Sequence, residues 1–239
     1  MRPASWSAGC AATDVLFALG HPLSLLVLLV SFLLAVTLHG WVQGVVADRL
    51  GDRRARQEGR LSLDPRRHVD PFGAVAAALS GLGWARPVDA PVRGGRSRLL
   101  AVTLSGPMVN IVLGLGLLVG ARLTTSTGFL DGASYVLQHG ISGTSQPLAQ
   151  ALLLGGASQL YLGVLSLIPL PPLDGGRLLF ALAPRSSGWQ RAEHLLVEQN
   201  VGTVALLVLL ILPLGGAVPL LPTLLDTLLA PVLRAITGG

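Results

Sequence analysis

The spacing of its apolar runs restricts this chain more than any other feature. Residues 22–46, 99–121, 148–170 and 201–218 each approach the ~20 apolar residues that a helix needs to cross a bilayer. In lipid every backbone polar group must be paired internally, so such runs fold as packed helices. Only 12% of the 239 residues are charged, against about 25% in an ordinary soluble domain. The expectation is one all-α polytopic membrane domain.

The charges then set the topology. All 17 basic residues are Arg and none is Lys, so no lysine is available as a general base. Arg49, Arg53, Arg54, Arg56, Arg60, Arg66 and Arg67 fall in one loop, and Arg86, Arg93, Arg96 and Arg98 in the next. Loops of this kind stay on the cytoplasmic side. Between them lies "DPFGAVAAALSGLGWA", Asp70 to Ala85, too short to span and flanked by Arg on both sides. It is read as a re-entrant or hairpin element that enters and leaves by one face. The connection 123–147 has no Lys or Arg and belongs outside, as does the N-terminus. Residues 1–19 lack the order of a cleaved signal and read as a leader into the first helix. Residues 191–239 read as a last membrane helix and a Leu/Pro-rich tail, whose 220–236 piece is a fifth short span or an interfacial helix. In the second span, Gly116 and Gly120 form a G-x-x-x-G that reads as helix packing within the domain or as a dimer contact. Aromatic content is 5% and the Arg clusters abut apolar helices, which excludes a nucleic-acid reader and favours a lipid bilayer as partner. One cysteine, Cys10, excludes an internal disulfide and a Cys-based zinc cluster.

This topology places His39, near the inner end of the first helix, at the depth of Asp174, just past the inner end of the third. An ionisable residue at membrane depth is a functional candidate by default, and these two are each other's candidate partners. Asp174 in "PLDGGRLL" also reads as a helix N-cap.

Four blocks in order carry a family resemblance: "VADRLGDRRARQEGRLSLDPRRHVDPFG", "GWARPV", "LSGPMVNIVLG" and "LSLIPLPPLDGGRLL". Together they resemble the site-2 protease family of intramembrane zinc metallopeptidases in its minimal bacterial form, over about residues 20–190. The resemblance implies a plasma-membrane location, zinc as cofactor, and an H-E-x-x-H helix whose two His bind the ion while the Glu acts as general base. Here those positions read His39, Gly40, Trp41, Val42, Gln43. The first ligand is kept, Gly40 stands at the general-base position, and Gln43 stands at the second ligand position. Asp174 matches the third ligand. Ser166 stands where the family has a substrate-seating Asn, and Asn110 of "GPMVN" falls with it along the implied substrate groove.

Each loss has its own physics. A neutral amide oxygen is a poor partner for an ion that prefers imidazole and thiolate, so a His-Gln-Asp set holds zinc weakly. Gly40 supplies no carboxylate, and general-base assistance is worth about 10²–10⁴-fold. The glutamates, Glu58, Glu193 and Glu198, all fall in or beside polar loops. Asp48 points to the helix face opposite His39. His68 is a conceivable substitute ligand if the re-entrant piece folds back. Two functions are carried forward. One is a non-cutting family member that binds a partner's transmembrane helix or regulates an active paralogue. The other is a zinc peptidase with an altered site. A small-solute transporter is disfavoured for want of an ionisable relay.

Overall fold

The computed structural model describes residues 22–88, 95–124, 146–184, 186–213 and 219–237. The expected leader at 1–19 and nearly all of the expected outer connection lie outside these residues. Among them every regular element is helical, and the sole extended pairing is an isolated antiparallel bridge between Val69 and Ala85.

Helix α1 (Pro22–Arg49) runs 28 residues without a break, about 42 Å at 1.5 Å per residue. The apolar stretch and the polar turns ending at Arg49 therefore belong to one rod. Helix α2 (Pro71–Ser80) is the short apolar element between the Arg-rich loops. Asp70 caps it by accepting from the Gly73 N–H at 2.8 Å, Pro71 fills the first position, and Gly81 ends it at φ +75°. Ten residues cover about half a bilayer, and the chain then turns back on itself. A Cβ at Gly83 would lie 2.2 Å from the Gly73 carbonyl, so only glycine admits that approach. The expected hairpin element is therefore present.

Helices α3 (Arg96–Leu123) and α4 (Pro147–Ser166) form the centre of the bundle. A Cβ at Gly114 would meet the Gly156 carbonyl at 2.9 Å, and one at Gly163 would meet the Pro107 carbonyl at 3.1 Å. The two helices thus touch backbone to backbone, the contact that small residues permit in membranes. The sequence reading named other glycines. Gly116 faces nothing within 4 Å, and Gly120 reaches α4 only at the tip of the Leu152 side chain, at 3.9 Å; neither makes the close backbone contact of this crossing.

Helix α5 (Asp174–Leu182) follows a turn containing a cis Pro171–Pro172 bond. Helix α6 (Ser187–Glu193) continues into a π-helical turn, His194–Glu198, and then α7 (Val201–Ile211). The expected span at 201–218 is corrected here as far as Pro213, its residues 214–218 lying outside the described ones. Its helix has 11 residues and gives way to extended backbone at Leu212 before Pro213. With residues 187–198 it forms a pair bent by 66°. Helices α1, α3 and α4 are each long and apolar enough to cross a membrane, and the bent pair makes up to four. The C-terminal piece forms one helix, α8 (Leu220–Thr237). It buries Leu221, Leu225, Leu229 and Leu233 and exposes Leu220, Leu224 and Leu228, the i, i+4 pattern of a docked amphipathic helix. Tyr161 of α4 donates to its Asp226 at 2.6 Å within the buried layer.

Candidate functional site

His39 and Gln43 lie four residues apart on α1 and project from one face, which turns toward α3 and the start of α5. Both are buried, as are Asp174, Asn110 and Ser166. The expected pairing across the chain is present: His39 Nε2 and Asp174 Oδ2 stand 2.6 Å apart. Gln43 Nε2 lies 3.0 Å from Asp174 Oδ1 and 3.2 Å from the Thr103 carbonyl of α3. On the other edge of the imidazole, Asn110 Nδ2 lies 3.4 Å from Nδ1.

With Asp174 ionised and the amides oriented as they stand, one set of proton positions satisfies these contacts. The Thr103 carbonyl can only accept, and an ionised Asp174 can only accept. Both Gln43 N–H protons are therefore spent, one on each. His39 Nε2–H donates to the remaining carboxylate oxygen, and its bare Nδ1 accepts from Asn110. The 3.3 Å contact between Gln43 Nε2 and His39 Nε2 then joins two donors that share an acceptor and is not itself a hydrogen bond.

This arrangement does not fit a zinc ion. A ligand must offer a lone pair, and Gln43 turns its amide nitrogen inward, the reverse of the carbonyl-inward orientation considered from sequence. Two donors on a tetrahedral zinc at about 2.0–2.1 Å sit roughly 3.3 Å apart, wider than the direct His39–Asp174 bond. The backbone of α3 closes the space further. A Cβ at Gly106 would fall 2.5 Å from His39 Nε2 and 2.8 Å from Gln43 Nε2. Among the described residues, no cluster of three His, Cys, Asp or Glu side chains is placed to hold a metal.

The other sequence candidates divide. Ser166 donates back to the Leu162 carbonyl at 2.8 Å, a bond within its own helix, so its hydroxyl is spent away from the site. It does line a cavity beside His39 and Asp174, with Trp84, Ala85, Arg86, Pro87, Pro172 and Leu173 completing the wall. Asn110 touches the far side of the His39 ring and not this cavity. Asp174 does not cap α5. It is the first residue of the helix and Leu173 is the cap, so its carboxylate is free for His39 and Gln43. Asp48 faces away and pairs with Arg56 at 2.8 Å.

His68 has folded back, as the re-entrant reading required, yet it joins no ligand cluster. It is fully buried. Its Nε2–H donates to the Ser62 carbonyl at 2.7 Å, and its ring occupies the room beside Gly40, where a Cβ would lie 2.5 Å from Nδ1. Burial pushes the imidazole pKa down, with nearby Arg60 and Arg67 acting the same way against the Ser62 carbonyl and Asp64. Sequence reasoning missed Thr103, Gly106 and Arg60. The first acts through its carbonyl, which no residue type announces, and the last is one Arg among many.

Comparison with known proteins agrees with this architecture. The chain is 32% identical over 207 residues to "Putative zinc metalloprotease YwhC" of Bacillus subtilis, covering 83% of this chain and 86% of that one. It is 29% identical over 159 residues to "Putative zinc metalloprotease Rip2" of Mycobacterium tuberculosis, covering 60% of this chain and 52% of that one. No protein-family model and no solved structure matches it. Three apolar membrane helices, the four ordered motif blocks and a relative that runs nearly end to end with the chain lead to one assignment: this is a membrane protein of the site-2 protease family.

Proposed function

We propose that this chain is a non-cutting member of its family, one that uses the site-2 architecture to bind a partner's transmembrane helix or to regulate an active paralogue. The observation that carries the reading is the state of Asp174: both its oxygens are taken, one by His39 and one by Gln43. The amide of Gln43 stands in the place of a cation, tying α1, α3 and α5 together with hydrogen bonds. Gly40 offers no group to take a proton from water, and the three glutamates Glu58, Glu193 and Glu198 are all exposed, whereas His39 is buried. In the same reading the Arg-rich loops face the cytoplasm, and residues 20–190 form the working core.

A second reading is favoured by the 32% identity to a protein named as a zinc metalloprotease. Under it His39, Gln43 and Asp174 rearrange to hold zinc and the chain cuts transmembrane segments. Reconstitution separates the two. The purified full-length chain in vesicles is given a single-span reporter peptide, with and without added zinc. The first reading predicts no cleavage in either case. Scission that a chelator blocks and that His39→Ala abolishes overturns it.

A further inference from the structure

The cavity beside His39 and Asp174 offers about 10 Å³ to the centre of a water molecule, room for about one water. No extended peptide enters a space of that size. Its outer wall is the strip Trp84, Ala85, Arg86 and Pro87, which belongs to none of the helices. What holds that strip decides access to the site.

We propose that the strip 84–87 and the loop 60–69 form a closed lid over His39 and Asp174, latched by Arg60 and keyed into α1 by His68. Arg60 is buried although it is a charged residue in an Arg-rich loop, and burial of a charge is costly unless it is paired or hydrogen-bonded. Its guanidinium spans the two carbonyls of the strip: Nη1–H donates to Arg86 O at 3.2 Å and Nη2–H to Pro87 O at 3.1 Å. Its Nε lies 3.5 Å from Glu58. The backbone of Arg60 rests on Gly44 of α1, where a Cβ would be 3.2 Å from the Arg60 carbonyl. One turn back along α1, Trp41 Nε1–H donates to Leu61 O at 3.1 Å, and the His68 ring fills the notch at Gly40. The lid's two halves are then joined to each other, since Arg86 N–H donates to His68 O at 2.7 Å beside the Val69–Ala85 bridge. Loop, strip and helix thus close as one unit, and a polypeptide segment reaches Asp174 only when the Arg60 bonds are released. The planar fork of Arg spans both carbonyls in a way that the single ammonium of Lys does not. The lid does not depend on whether the site cuts or only binds.

A buried cysteine reports the opening. In a Cys10→Ser background, Ser166→Cys places a thiol in the cavity wall, and Ala157→Cys places a control thiol in the core, where Ala157 is buried and does not line the cavity. The rate of labelling by N-ethylmaleimide is measured on the full-length chain in micelles. Arg60→Ala is expected to speed labelling at position 166 at least tenfold, with Arg60→Lys and His68→Ala intermediate and the rate at position 157 unchanged. If Arg60→Ala does not fold, Arg60→Lys carries the test. An unchanged rate at 166 in the variants that fold overturns the lid, and so does a rise at 157 that keeps step with 166.

Discussion

Where α3 crosses α4 the contact is backbone on backbone, through Gly114, Gly156 and Gly163. Where α1 meets α3 and α5 it is a set of polar side chains, His39, Gln43, Asn110 and Asp174, bonded to one another and to the Thr103 carbonyl, with the Asn110 Oδ1 left over. The first contact tolerates no added atom. The second has exchanged two of the five family motif positions, with Gly at 40 and Gln at 43, and still closes. The difference separates frame from chemistry: close helix packing enforces the architecture, while the polar cluster needs only that each buried donor finds an acceptor. In the proposed reading, a family site loses its reactive groups while its scaffold persists.

That contrast is open to direct attack. The largest effect belongs to the frame. Gly114→Leu forces a side chain against the Gly156 carbonyl and is expected to cost about 3 kcal/mol or more, the upper range for overpacking. Loss of monodisperse protein on gel filtration, or a collapse in Tm, checks it; a variant that folds normally breaks the comparison. Next is Asp174→Ala, which strands the His39 N–H and one Gln43 N–H in a buried layer. Each stranded donor costs about 1–3 kcal/mol, a loss readable by thermal unfolding in detergent.

The smallest effect is a pH dependence at the edge of the site. The His68 pKa is depressed by burial, so the unfolded chain binds a proton at a higher pH than the folded one. The neutral ring's contribution is complete above the ordinary histidine pKa of about 6.5. It is lost as pH falls below that value toward the folded pKa, at no more than about 1.4 kcal/mol per pH unit. Unfolding curves between pH 7.5 and 5 should show this slope, reduced in His68→Asn. A slope of the opposite sign would mean that the ring gains a partner when charged.

Much of the frame was legible before any coordinates. Hydropathy located α1, α3 and α4, and the shortness of the apolar piece between the two Arg-rich loops forbade a crossing there. The topology put His39 opposite Asp174, because two inner helix ends must share a depth. What failed did so for reasons of facing. The G-x-x-x-G at Gly116 and Gly120 has the right spacing but not the close backbone contact with α4, which falls at Gly114 instead, and sequence spacing alone does not say which side a neighbour occupies. The 201–218 run is apolar throughout yet breaks at Leu212, since mean hydropathy does not register where a helix ends. Asp174 read as a cap because an Asp before a helix commonly is one. Its partners, His39 and Gln43, lie 135 and 131 residues away. The inward turn of the Gln43 amide and the burial of Arg60 depend on carbonyls at positions 103, 86 and 87, and a carbonyl is present at every residue.

The central claim is that hydrogen bonds have replaced a metal between His39, Gln43 and Asp174. Metal analysis of the purified full-length chain, after incubation with zinc and removal of the free ion, tests it most directly. The account predicts zinc well below one ion per chain and a Tm that a chelator leaves unchanged. One zinc per chain, lost in His39→Ala and in Asp174→Ala, would contradict it.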